Sequence, residues 1–215
     1  SPLVSVRVTS NDQDYSPTAA IFTYYQLPTL LSVFPLSGPV LGGTTVFIDF
    51  RKSSVDTFQP AALNVEGQVW KCRFGSVETT PESVEDGRFT CITPANVQGA
   101  LVVDLTHNGV DFTSSTVTFE YVARDIISHL TPLTGPVTGG TFVTITGNFS
   151  GRGALTTKCS FGGALVTAFS VSDTAVVCRT PRVAAPVSVA VEVTSNDQQY
   201  TFGGMQFLYE PLRWV

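Results

Sequence analysis

LSVFPLSGPVLGGTTVFI, residues 31–48, returns as ISHLTPLTGPVTGGTFVTI at residues 127–145. Pro35, Gly38, Pro39, Gly42, Gly43, Thr44 and Ile48 recur as Pro132, Gly135, Pro136, Gly139, Gly140, Thr141 and Ile145. Outward from this anchor the later signatures repeat in the same order. Cys72-Arg73-Phe74-Gly75 becomes Cys159-Ser160-Phe161-Gly162, Cys91-Ile92-Thr93-Pro94 becomes Cys178-Arg179-Thr180-Pro181, and Phe119-Glu120-Tyr121 becomes Phe207-Leu208-Tyr209. VRVTSNDQDY (6–15) matches VEVTSNDQQY (191–200) at eight of ten positions, and Phe22-Thr23-Tyr24 supplies the closing aromatic pair of that copy. Self-similarity at a period near 90 residues means one structural unit used several times. On this reading residues 1–26 are the C-terminal part of one unit, 27–123 and 124–210 are two whole units, and 211–215 begin another.

Each unit reads as β-structure. Val46, Ile48 and Phe50 alternate with Thr45, Phe47 and Asp49, and Val143 and Ile145 with Thr144 and Thr146. Val189, Val191 and Val193 alternate with Ala190, Glu192 and Thr194, while helical periodicity is missing. Period two indicates strands with one buried face. Gly/Pro punctuation every ten residues or so, in a unit of this length, favours a sandwich. Gly42-Gly43 and Gly139-Gly140 permit positive φ before a strand, and Asn108-Gly109 suits a type I′ hairpin. The predicted fold is all-β: tandem immunoglobulin-like sandwiches arranged as a rod. The junctions Tyr24 to Pro35 and Tyr121 to Pro132 are both 11 residues and poor in Gly and Ser, which predicts the same semi-rigid joint each time.

Composition narrows the function. Charged residues make up 13% of the 215-residue chain, the net charge is −5, and there are three lysines, an unfavourable balance for gripping nucleic acid phosphates. No apolar run approaches the ~18 residues of a membrane helix, so contact with a membrane is expected only through regions outside this chain. Two histidines leave little for acid–base catalysis; His107 is placed at a turn and His129 at the strand position of Val33. There is no G-x-S-x-G, H-E-x-x-H, P-loop or calcium-loop spacing, and the Gly-Gly pairs precede strands rather than helices. Asp12 and Asp197 in the S-N-D-Q turns are read as turn formers rather than calcium ligands. Trp70 alternates with Cys72 and Phe74 on the buried side, which makes it core rather than a sugar-stacking ring. The expectation is no catalytic residues, no metal and no cofactor.

Cys72 and Cys91 are 19 positions apart, and so are Cys159 and Cys178. Zinc sites bring ligands in close pairs, which are absent. Buried free thiols in a reducing compartment are one reading. Two disulfides, each within its own unit, fit better; each adds roughly 3 kcal/mol by the chain-entropy estimate and implies an oxidising compartment.

The order P-x-x-GP-x-x-GG-T, C-x-FG, C-x-TP and F-x-Y resembles the IPT/TIG domain, across essentially the whole chain. The resemblance implies an immunoglobulin-like sandwich. In that family, cysteine-containing tandem copies occur in extracellular regions of plexins, Met-type receptors and fibrocystin-like ciliary membrane proteins. Single copies occur in Rel-type transcription factors and some starch-acting enzymes. The expected function is a non-enzymatic extracellular structural or adhesive segment of a cell-surface, ciliary or filament-forming protein. Its expected partners are other proteins or neighbouring copies of the array. The alternatives are the stalk of a plexin-like or Met-like receptor and accessory domains of a carbohydrate-active enzyme. Two local features add candidate sites. The first whole unit carries about ten extra residues within 51–69, where Phe58, Gln59 and Pro60 form a candidate partner loop. Asn148-Phe149-Ser150 is the N-x-S/T sequon, with Asn148 pointing outward by alternation.

Overall fold

The computed structural model describes residues 3–51, 70–85, 87–149 and 156–211. The candidate loop Phe58, Gln59 and Pro60 lies outside the described residues. Two strands come first, β1 (Leu3–Val6) and β2 (Ala20–Thr23), joined as an antiparallel pair.

Among the described residues the first complete sandwich has nine strands: β3 (Thr29–Phe34), β4 (Ser37–Pro39), β5 (Thr45–Arg51), β6 (Lys71–Phe74), β7 (Val77–Thr79), β8 (Ser83–Glu85), β9 (Arg88–Ile92), β10 (Gly99–Thr106) and β11 (Thr118–Val122). They form a four-stranded sheet in the order β3-β5-β9-β8 and a five-stranded sheet in the order β4-β11-β10-β6-β7. The short β4 runs parallel to β11, with Gly38 beside Tyr121.

The second sandwich repeats this plan. Its strands are β12 (Ile126–Thr131), β13 (Thr134–Pro136), β14 (Phe142–Asn148), β15 (Lys158–Phe161), β16 (Ala164–Thr167), β17 (Ser170–Val171), β18 (Ala175–Arg179), β19 (Val187–Thr194) and β20 (Gln206–Glu210). The sheet orders are β12-β14-β18-β17 and β13-β20-β19-β15-β16, again with a parallel β13–β20 pair.

Alternation puts the apolar positions inside. Val46, Ile48, Phe74, Phe119 and Tyr121 are fully buried in the first sandwich, as are Val143, Ile145, Val191, Phe207 and Tyr209 in the second. Before β5 and β14 the chain passes through two left-handed residues, Gly42 and Gly43 (φ 73° and 79°), then Gly139 and Gly140 (71° and 90°). That conformation is costly for residues with a Cβ, which accounts for the Gly-Gly pair at each turn.

Two sequence expectations need correction. Asn108-Gly109 is not a type I′ turn: only Gly109 has positive φ, and the Asn108 side chain organises a wider loop described below. His129 does not take the place of Val33. Leu130 does, 1% exposed and paired with Ile145 as Val33 pairs with Ile48, while His129 is exposed. The 97-residue offset of Pro35 and Pro132 places His129 at the position of Ser32, also exposed, and β3 and β12 carry the same bulge at matching positions. A one-residue slip in the comparison exchanges the faces.

Candidate functional site

Cys72 on β6 is bonded to Cys91 on β9, and Cys159 on β15 to Cys178 on β18. In each sandwich the bond therefore joins the four-stranded sheet to the five-stranded one. All four cysteines are fully buried. Their neighbours are core side chains: Trp70, Phe74 and Phe89 are at most 3% exposed.

Around Trp70 the first sandwich holds a run of ring contacts. Phe50 lies 5.0 Å from Phe89, Phe89 4.9 Å from Trp70, Trp70 4.5 Å from His107, and His107 4.8 Å from Tyr25, centroid to centroid. Burial lowers the His107 pKa, because desolvation penalises the imidazolium. The Tyr25 hydroxyl is pushed up, first by burial and then by the charge of Asp111. No local signal marks this column, since its members come from five separate stretches of the chain. Trp70 is core, as its alternation with Cys72 indicated.

At the tip between the last two strands of each unit, one loop is built three times. Asn11 Oδ1 accepts the N–H groups of Gln13 (3.1 Å) and Asp14 (2.9 Å), while its Nδ2 donates to Asp14 Oδ2 (2.9 Å). Asn108 repeats this with Val110 (3.0 Å), Asp111 N (2.8 Å) and Asp111 Oδ2 (2.8 Å). Asn196 repeats it with Gln198 (3.1 Å), Gln199 N (3.0 Å) and Gln199 Oε1 (2.7 Å). The next residue in each copy, Asp12, Gly109 or Asp197, is left-handed (φ 60°, 74° and 61°). Bridges Thr9–Tyr15, Thr106–Phe112 and Thr194–Tyr200 close the loops. The signal was legible as T-x-N-x-x-[DQ], read three times in register.

Behind the loop a second device recurs. Thr113 Oγ1 accepts the Leu105 N–H (2.9 Å) and donates to Asp104 Oδ1 (3.1 Å). Thr201 Oγ1 accepts the Val193 N–H (2.8 Å) and donates to Glu192 Oε2. Asp104 is also paired with Arg73 (2.8 Å), whose guanidinium sits 3.7 Å above the Phe112 ring. Such groups lock strand ends in place. Asp12 and Asp197 are turn residues, and Asp197 is paired with Lys158. Among the described residues no three His, Cys, Asp or Glu side chains are grouped to hold a metal ion. Asn148 is exposed at the end of β14.

Two sandwiches of like topology, each with its own buried disulfide, agree with the comparison against known families: the IPT/TIG domain matches residues 28–121 and 126–209. The chain belongs to the IPT/TIG domain family. Among solved structures it is similar to the full extracellular region of plexin A4, at TM-score 0.57 and 21% identity over 86% of this chain and 16% of that one. A second structure of the plexin A4 extracellular region aligns at TM-score 0.51 and 22% identity, covering 85% of this chain and 18% of that one. At these identities the likeness is one of fold, and the chain spans less than a fifth of the plexin region it matches.

Proposed function

We propose that this tandem IPT/TIG chain is a non-enzymatic, extracellular structural or adhesive segment, a semi-rigid array whose partners are other proteins or neighbouring copies. The observation that carries the reading is the pair of fully buried disulfides, one per sandwich. Disulfides persist outside the reducing cytosol. Units limited by residues 27–123 and 124–210, with junctions of equal length, support the array. A cell-surface, ciliary or filament-forming protein is the setting that suits it. The conspicuous polar clusters, the Asn-centred loops and the Thr–carboxylate pairs, bind backbone N–H groups, which supports a structural role for them.

The test is secretion through an oxidising compartment followed by non-reducing peptide mapping. The expected result is the Cys72–Cys91 and Cys159–Cys178 pairs in quantitative yield, with small-angle scattering fitting a narrow range of inter-unit angles. Free thiols in the protein from its own cells, or scattering from freely reorienting units, overturn the reading. A second reading, the stalk of a plexin-like receptor, is favoured by the fold likeness to the plexin A4 extracellular region. It requires a ligand-binding module elsewhere in the same polypeptide. Enzymatic removal of a glycan, with a mass loss at Asn148, tests the sequon.

A further inference from the structure

The β1–β2 hairpin is paired in the same register as β19–β20. Val4 stands opposite Phe22 as Val189 stands opposite Phe207. Phe22 and Tyr24 pack edge-on at 4.9 Å, as Phe207 and Tyr209 do at 5.1 Å. Yet the burial is reversed. Val6, Val8, Phe22 and Tyr24 are 47%, 75%, 54% and 56% exposed, whereas Val191, Val193, Phe207 and Tyr209 are 0%, 1%, 0% and 0%. Val103, Leu105, Phe119 and Tyr121 in the first sandwich are all at 0%. Among the described residues, the hairpin thus carries the face of an IPT/TIG core half exposed rather than buried.

We propose that this face and its two edges receive the earlier strands of a further IPT/TIG module, supplied upstream of the hairpin in the same polypeptide. The two complete sandwiches define how those strands seat. Antiparallel to β10 and β19 lies a C-x-F strand, with Phe74 beside Val103 and Cys72 beside Leu105, Phe161 beside Val191 and Cys159 beside Val193. The incoming strand therefore places Phe beside Val6 and Cys beside Val8. Parallel to β11 and β20 lies an S/T-G-P strand, with Gly38 beside Tyr121 and Gly135 beside Tyr209, so the incoming glycine sits beside Tyr24. Neither C-x-F strand of this chain is free to serve, since β6 and β15 are paired on both edges.

Charge adds a specificity. The position of Asp104 and Glu192 is occupied by Arg7 in the hairpin. Ser16, in the place of Thr113 and Thr201, still accepts the Val8 N–H (3.3 Å) but donates to Thr18 O (2.8 Å) instead of to a carboxylate. Arg73, the middle residue of C-x-F, faces Asp104. In the second sandwich Ser160 faces Glu192 without a charge, so the pair is not obligatory; with the sign reversed at Arg7, an acidic middle residue in the incoming C-x-F strand gains the matching ion pair.

This deepens the array reading by naming what the hairpin joins, and it rests on the module repeat rather than on an extracellular setting. The experiment grafts residues 126–185 of this sequence onto Ser1 of the full chain, which restores the order of the complete repeat because residue 186 corresponds to residue 1. The readouts are hydrogen exchange of the β1–β2 amides and binding of an apolar dye. The expected result is about tenfold or greater protection of those amides, with dye emission falling to match. Phe22→Asp abolishes the gain while the two disulfide-bonded sandwiches melt unchanged. Within the graft, Ser160→Asp protects the hairpin more than Ser160→Lys. Hairpin amides as unprotected in the graft as in the free chain overturn the proposal. So does a dimer of the free chain that Phe22→Asp dissolves, because the face then belongs to a second copy. Lys outperforming Asp at position 160 overturns the charge rule. The pairing of the four cysteines is mapped on the ungrafted chain, so the extracellular reading stands or falls separately.

Discussion

Where the first sandwich stacks rings, the second uses aliphatic and hydroxyl side chains at the same places. Phe89, Trp70 and His107 of the first correspond to Val176, Thr157 and Ser195 of the second. Phe50, opposite Leu30, corresponds to Gly147, opposite Ile127. The second sandwich fills that last gap differently: the Phe149 ring comes from two residues further on and folds back over Gly147, so that a Cβ there would meet Phe149 Cζ at 2.9 Å. Pairing order and sheet topology are nevertheless the same. Sheet register is held by alternation and by the disulfide, and the space between the sheets is filled by whatever volume each copy has to offer. The two cores should therefore fail in different ways.

The largest difference is expected from cutting back the ring column. Phe89→Ala removes a fully buried ring that touches Phe50 and Trp70 and should cost about 4 kcal/mol. Val176→Ala at the matching site should cost about 2 kcal/mol, as two methyl groups are lost rather than a ring. Denaturant-dependent hydrogen exchange of the β5 and β14 amides, which reports each sandwich separately, checks both. Equal losses would show that the Phe89 ring contributes no more than the two methyl groups of Val176.

Gly147 tests the opposite strategy. Its Cβ would lie 2.0 Å from the Ile126 carbonyl oxygen, which is backbone and cannot step aside cheaply. Gly147→Ala should cost about 3 kcal/mol, at the upper end for overpacking. Trimming the other neighbour with Phe149→Ala should not rescue it, because the carbonyl clash remains. Rescue would mean that the ring, not the backbone, excludes a side chain there. A smaller effect is expected at the loops. Asp197→Val forces a β-branched residue into the left-handed region and should cost about 1–2 kcal/mol, whereas Asp197→Gly should stay within about 0.5 kcal/mol. Thermal unfolding of both variants separates backbone strain from loss of the Lys158 ion pair, since each variant loses the pair.

Alternation in the sequence located the strands that carry Val46, Ile48, Val143 and Ile145, and it located Trp70 and the cysteines in the core. Period two survives any sheet order, so it can be read without knowing the partners. His129 is misplaced when the two stretches are aligned from their first residues; the 97-residue offset of Pro35 and Pro132 puts it in the place of Ser32, and an error of one position exchanges the side-chain faces. Asn108-Gly109 was misread because a dipeptide does not reveal that its side-chain amide will be completed by Asp111, three positions on. The ring column has no sequence signature at all: Tyr25, Phe50, Trp70, Phe89 and His107 meet only after both sheets are assembled. The half-exposed hairpin face is similar, since its apolar alternation matches that of the buried copies and only the structure separates the two.

The subtlest consequence of the column is a pH dependence confined to the first sandwich. His107 is packed between Trp70 and Tyr25, and burial holds its pKa below the ordinary value of 6.5. Unfolding returns the imidazole to water, so between the folded value and 6.5 the unfolded chain binds the extra proton. The stability is therefore whole above pH 6.5 and declines as pH falls from there toward the folded value. Asp49 works in a lower window. Its carboxyl is held below 3.8, first by the hydrogen bond from Arg88, so its contribution is lost only as pH falls through that range. His107→Gln removes the first dependence and leaves the second. Comparing slopes rather than absolute midpoints cancels the ring contacts that the substitution also deletes. Melting curves from pH 7 to pH 5 should fall more steeply for the parent than for His107→Gln. Ser195, which replaces the histidine in the second sandwich, gives that unit no matching decline. Parallel curves for parent and variant would show that the imidazole is hydrated in solution, and that the column ends at Trp70.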